Sequence, residues 1–117
     1  MASGKDFVEF IVEQMESAGV ITYKKMFGEY GIYCGGKLVA MVCDDRLFIK
    51  PTESGRAFIG EVTEGERYPG AKPYFLIEDR FEDREWISEL IRLTAEELPE
   101  PAEKNNKTKV SRRRGNV

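Results

Sequence analysis

The sequence predicts an α+β fold, a two-layer domain in which an antiparallel sheet of about five strands packs with N- and C-terminal helices. Three observations carry this expectation. Apolar residues recur at helical spacing near the two ends of the first hundred residues. Between them, residues 21–50 form short β-rich runs. The runs are separated by two-residue turns, and connections this short force antiparallel neighbours.

Residues 4–18 place Phe7, Val8, Ile11, Val12, Met15 and Ala18 on one helical face, with Glu9, Glu13 and Glu16 opposite. Ser3 followed by Asp6 is a cap-like start, and Gly19 is a natural stop. The runs ITYKKMF, GEYGIYC, GGKLVAMVC and DDRLFIK then predict a four-strand meander, with turns at Gly35-Gly36 and Asp44-Asp45. Alternation in the third run puts Leu38, Ala40 and Val42 on one side and Val39, Met41 and Cys43 on the other. Both sides are apolar, so this strand should be central, with helices over one face and a partner subunit as one candidate cover for the other. Residues 52–62 predict a short helix or turn with Ala57, Phe58 and Val62 inward, which Gly55 and Gly60 weaken. Residues 64–73 read as a loop and Tyr74 to Ile77 as a fifth strand. A final helix over 82–98 aligns Trp86, Ile87, Leu90, Ile91, Thr94 and Leu98, with Asp83 or Asp79 as its cap and Pro99 and Pro101 beyond it.

The 117 residues, 33% charged and 41% hydrophobic, fit one domain over 1–101 and a tail over 102–117. There is no His, which excludes Ser-His and Cys-His nucleophile pairs, His-ligated zinc and histidine pH switches. Cys34 and Cys43 lie in apolar runs and are expected to be reduced core thiols, since two Cys without His make a poor zinc signature. No apolar run approaches the roughly 20 residues of a membrane span, and charges interrupt the N-terminal apolar positions, so a cytoplasmic protein without cofactors is expected. The net charge of −3 is unevenly divided. Up to Pro101 there are 12 basic and 20 acidic residues, a net −8, whereas 102–117 holds six basic residues and Glu103, a net +5. This tail cannot bury enough apolar surface to order itself.

Four features could carry function. Gly28 and Gly31, with Lys24 and Lys25 nearby, suggest a phosphate cradle, but no helix follows them, and a bend or bulge with Tyr30 and Tyr33 packing across the sheet is the better reading. The carboxylate pairs Asp44-Asp45, Glu78-Asp79 and Glu82-Asp83 all fall at turns or caps, where Asp bonds its own backbone. Lys72, in Pro-Gly-Ala-Lys-Pro-Tyr, sits in a proline-bounded loop that could present it with two tyrosines. In the tail, Lys104, Lys107, Lys109, Arg112, Arg113 and Arg114 could contact nucleic-acid phosphates, against repulsion from the acidic body.

The run from Tyr23 to Tyr33, with its Met26-Phe27-Gly28-x-Tyr30-Gly31 turn, is followed by Gly36-Lys37 and an apolar strand, then by Asp44-Asp45-x-Leu47-x-x-Lys50. This combination resembles the N-terminal domain of the TfoX/Sxy family, bacterial regulators of competence for transformation, whose full-length members carry a second domain expected to be absent here. The resemblance implies a fold similar to secretion chaperones and no catalytic residues. It makes Lys25, Met26, Phe27, Gly28, Tyr30, Gly31, Asp45 and Lys72 signature or interaction candidates. The expectation is a non-enzymatic regulatory or protein-interaction module, with a protein partner or a second copy of itself. An accessory nucleic-acid binder acting through the tail is the alternative.

Overall fold

The meander forms as its turns dictate, and the computed structural model describes it within residues 4–26 and 28–99. Strands β1 (Ile21–Met26), β2 (Glu29–Cys34), β3 (Lys37–Cys43) and β4 (Arg46–Ile49) follow one another antiparallel. Gly35 and Gly36 have φ of 59° and 86°, and Asp44 and Asp45 have φ of 56° and 57°. Both hairpins therefore use the left-handed two-residue turn that matches strand twist. Helix α1 (Lys5–Met15) precedes the sheet and continues as a 3-10 turn through Ala18 to Gly19. Its N-cap is Gly4, which makes no side-chain cap bond. Gly4 instead donates its N–H to Asp45 Oδ1 at 2.9 Å, tying the helix start to the β3–β4 turn.

Helix α2 (Glu53–Ile59) is capped by Thr52, whose hydroxyl accepts from Gly55 N–H at 3.0 Å. Gly55 was expected to weaken this helix, yet the packing requires it. A Cβ there would stand 2.7 Å from Thr52 Oγ1 and 3.4 Å from the Leu90 side chain. Ala57, expected inward, is exposed, while Phe58, Ile59 and Val62 pack against the core. The two-residue strand β5 (Glu64–Gly65) was not expected in the loop, and with β6 (Tyr74–Ile77) it brings the sheet to six strands in the order β1-β2-β3-β4-β6-β5. Helix α3 (Arg84–Glu97) closes the layer, its start capped by Asp83 Oδ1 accepting from Trp86 N–H at 3.1 Å.

The core lies between the sheet and the helices. Val8, Ile11 and Met15 of α1 and Ile87, Leu90 and Ile91 of α3 meet Ile32, Ala40, Val42, Leu47, Ile49 and Phe75. The helices are joined at Gln14, which donates to the Phe81 and Glu82 carbonyls at 3.1 and 3.0 Å, while Ser88 Oγ donates to the Gln14 carbonyl at 2.9 Å. One irregularity reassigns faces. Ile32 pairs with Ala40 but Tyr33 with Leu38, which leaves Val39 as the extra residue of a β-bulge. Val39 accordingly joins the helix-side core with Ala40 and Val42, and Leu38 does not, contrary to strict alternation. The bulge is thus not at the glycines: Gly31 sits in regular register between Lys24 and Met41, and Gly28 makes the β1–β2 turn with φ 79°.

Candidate functional site

The second face of the sheet follows from the register. Gly31, Met41, Phe48 and Leu76 lie side by side across β2, β3, β4 and β6. Phe48 is 0% and Met41 5% exposed, although neither belongs to the helix-side core. Their cover is the chain itself. Residues 66–73 fold back as a strap whose Ala71 is buried, and the flanking Gly65 lies so close to Phe48 that a Cβ would stand 3.3 Å from its ring. A partner subunit, one candidate cover in the sequence reading, is not needed to bury these residues.

Arg67 clamps the strap. Its guanidinium donates to Glu29 Oε1 at 2.6 Å, and the two side chains are 16% and 13% exposed. Its Cζ lies 5.3 Å from the Tyr68 ring centroid and 5.1 Å from that of Tyr74, so the cation is flanked by aromatic faces. The Cys43 thiol donates to the Arg67 carbonyl at 3.6 Å. Arg67 Nε is buried with no hydrogen-bond partner among the described residues. Burial works against the Arg67 charge, but the hydrogen bond and charge of Glu29, with smaller help from Tyr74 and Tyr68, hold its pKa above the ordinary value. Burial also pushes the Tyr74 hydroxyl up, opposed by Arg67, and pushes the Cys43 thiol up with help from Glu29.

The residues singled out from the sequence do not converge on one point. Tyr30 is 7% exposed in the helix-side core, its ring tilted against Tyr23 at 6.0 Å. Lys25 is exposed on β1 in register with Tyr30, Met26 pairs in register with Glu29, and Phe27 lies outside the described residues. Asp45 accepts the Gly4 bond, and Lys72 is exposed on the strap. Lys104, Lys107, Lys109, Arg112, Arg113 and Arg114 lie outside the described residues. Of the carboxylate pairs, Asp83 serves as a helix cap and Asp44-Asp45 as a turn. Both cysteines are free. Among the described residues no group of three or more His, Cys, Asp or Glu could hold a metal ion, and no helix is long and apolar enough to cross a membrane.

What the sequence reading missed is the clamp: Glu29, Arg67, Tyr68 and Tyr74 as a unit. Glu29 occupies the variable place in the Met-Phe-Gly-x-Tyr-Gly turn, and Arg67 stands 38 residues away, so neither had a local signal. With the geometry in hand, the comparisons fit it. A model of the TfoX N-terminal domain matches residues 13–98, which takes in the end of α1, the β1–β2 turn, the strap and all of α3. An uncharacterised 12.7 kDa protein from the 5′ region of trpE in Spirochaeta aurantia is 38% identical over 109 residues, 93% of this chain and 95% of the relative. The chain belongs to the TfoX N-terminal domain family.

Proposed function

We propose that this chain is a non-catalytic regulatory module that works by binding a protein partner, with the outer side of the strap as its contact surface. The family to which it belongs is one of regulatory, competence-related domains and not of enzymes. The observation that carries the reading is the clamp on Arg67. An ion pair between two largely buried side chains, with aromatic rings about the cation, holds residues 66–73 against the sheet and so fixes what they display. What they display is Tyr68, 53% exposed, together with exposed Lys72. An exposed aromatic on a preorganised loop loses little conformational freedom on binding, and aromatic residues are among those enriched in binding hot spots.

The test is a cross-linking and affinity-capture comparison of the wild type with Tyr68→Ser/Lys72→Glu. The reading expects a defined partner held by the wild type and lost by the variant, which stays folded with a melting temperature lowered by no more than the loss of one ring–cation contact, about 0.5–1 kcal/mol, allows. A partner retained equally by both, or no partner under cross-linking, overturns it. A second reading, an accessory nucleic-acid binder, is favoured by the six basic residues of 102–117. Six phosphate contacts on duplex DNA predict a log–log salt slope of about −5. Neutralising the six should abolish that slope.

A further inference from the structure

The two edges of the sheet differ. At one end β5 is two residues long, a short edge that offers another chain little to pair with. At the other end β1 runs six residues, Ile21–Met26, and pairs on one side only, with β2. The β1–β2 register fixes which backbone groups are left over. Gly35 donates its N–H to the Val20 carbonyl at 2.9 Å, and bonded pairs alternate along an antiparallel ladder, so Thr22, Lys24 and Met26 also turn their backbone groups to β2. Ile21, Tyr23 and Lys25 therefore turn their N–H and C=O groups outward, and among the described residues no hydrogen bond reaches these groups. Ile21, Tyr23 and Lys25 share the helix face with Cys34, Ile32 and Tyr30, their partners in register, while Thr22 and Lys24 stand on the other face and are exposed.

We propose that the partner of this edge is β1 of a second copy of the chain, paired antiparallel about a twofold axis at Tyr23. In that register Tyr23 faces Tyr23 and Ile21 faces Lys25, so outward groups meet outward groups and the two strands share about six backbone hydrogen bonds. Thr22 stands opposite Lys24, and no lysine faces a lysine. Moving the axis one residue toward the β1–β2 turn sets Lys24 against Lys24, and one more sets Lys25 against Lys25, both destabilising. Moving it back to Thr22 leaves Lys25 opposite Gly19, which lies outside the strand. The lysines that guard the edge against other registers thus permit this one. Charge on the helix face favours the same occupant. Tyr23 donates its hydroxyl to Glu9 at 3.1 Å, and Glu13, one helical turn nearer the start of β1, is exposed. A second copy brings Lys25 to that start, opposite Ile21, so each acidic α1 receives a cation from the other copy, whereas an acidic peptide on this edge would lie against the carboxylates. The paired strand also runs alongside Val20, which is 74% exposed. No strap residue enters the contact, which stands whether or not the strap binds a different protein.

The test uses the full chain. A six-residue edge falls at the small end of protein interfaces, so sedimentation between about 10 μM and 1 mM should show a reversible monomer–dimer equilibrium. Thr22 reports the register, because it is exposed in the monomer and each copy's Thr22 faces the other's Lys24 in the dimer. Thr22→Glu should tighten the dimer and Thr22→Lys should weaken it, each by about twofold to thirtyfold in Kd. Amide hydrogen exchange followed by NMR is the second measurement. The amides of Ile21, Tyr23 and Lys25 should gain protection as concentration rises, while those of Thr22 and Lys24, already bonded to β2, should change far less. Tyr68→Ser/Lys72→Glu should dimerise as the wild type does, which separates self-association from capture of a different protein by the strap. A chain still monomeric at about 1 mM overturns the proposal. So does a dimer whose Kd fails to move in opposite directions with the two Thr22 variants, one that leaves Ile21, Tyr23 and Lys25 unprotected, or one lost with the Tyr68 and Lys72 changes.

Discussion

Replacing Glu29 by Gln removes the charge that balances Arg67 and keeps the shape of the side chain. The guanidinium would then stay beneath the strap at 16% exposure with its Nε already without an acceptor. Breaking a fully buried pair by removing one partner costs about 3–5 kcal/mol, and a pair with some solvent access should cost less, so we expect about 2–3 kcal/mol. At about 4–8 °C per kcal/mol for a domain of this size, the melting temperature should fall by roughly 8–24 °C. Replacing both partners together, Glu29→Leu/Arg67→Met, removes both charges and leaves apolar chains beside Tyr68 and Tyr74, so its cost should stay within about 1 kcal/mol. The assay is urea unfolding followed by fluorescence of Trp86, the single Trp. A Glu29→Gln cost below about 0.5 kcal/mol would place the pair with ordinary surface salt bridges and refute the clamp. The same conclusion would follow if the double variant cost as much as Glu29→Gln.

Gly55→Ala should destabilise by about 1–3 kcal/mol in the same urea assay even though Ala favours helix, because its Cβ meets Thr52 Oγ1 at 2.7 Å and disturbs the cap. Glu97, at the end of α3, accepts bonds from Ser54 N–H, Glu53 N–H and the Ser54 hydroxyl, which hold its carboxyl below the usual range. A depressed folded-state pKa gives stability that is present above the unfolded value and lost as pH falls through the folded one. Glu97→Gln should therefore melt earlier than the wild type at pH 7 and converge with it on acidification, which thermal melts across the acid range will show. Burial raises both thiols above the ordinary cysteine range, so alkylation near neutrality should be slow for Cys34 and Cys43 alike. Glu29→Gln should speed Cys43, which sits under the strap, and leave Cys34 unchanged, as mass spectrometry of alkylated peptides will report.

The legible parts of the fold were those written in adjacent residues. Gly35-Gly36 and Asp44-Asp45 specify their turns by their own backbone preferences, and the stripes of α1 and α3 repeat within one element. The bulge at Val39 was illegible because a register shift is a property of two strands, and nothing in KLVAMVC marks which residue will be extra. Strand β5 failed for a related reason. Two residues have no period, and Glu64–Gly65 pairs only because Gly65 fits against Phe48 and Leu76. Gly55 was read through helix propensity, when what requires Gly there is the cap: a Cβ would stand 2.7 Å from Thr52 Oγ1, the oxygen that accepts the Gly55 N–H.

The candidate site was illegible in a more instructive way. A third strand apolar on both sides invited a partner, but Met41 and Phe48 are buried within the chain, with Gly65 and the Arg46 guanidinium against the Phe48 ring. The contact surface proposed above is then the outer side of the strap, and the clamp bears on it by position more than by stability. If the Glu29→Leu/Arg67→Met double variant is as stable as the wild type, the ion pair is not kept for free energy. It is kept for geometry, because the two nitrogens of a guanidinium and the carboxylate of Glu29 define a direction that a thioether does not. The double variant should then fold and melt normally yet lose the partner that Tyr68→Ser/Lys72→Glu loses, since Tyr68 would no longer be fixed against the cation. Normal capture by a stable double variant would show that the strap's placement is irrelevant to binding and would move the contact surface elsewhere on the domain.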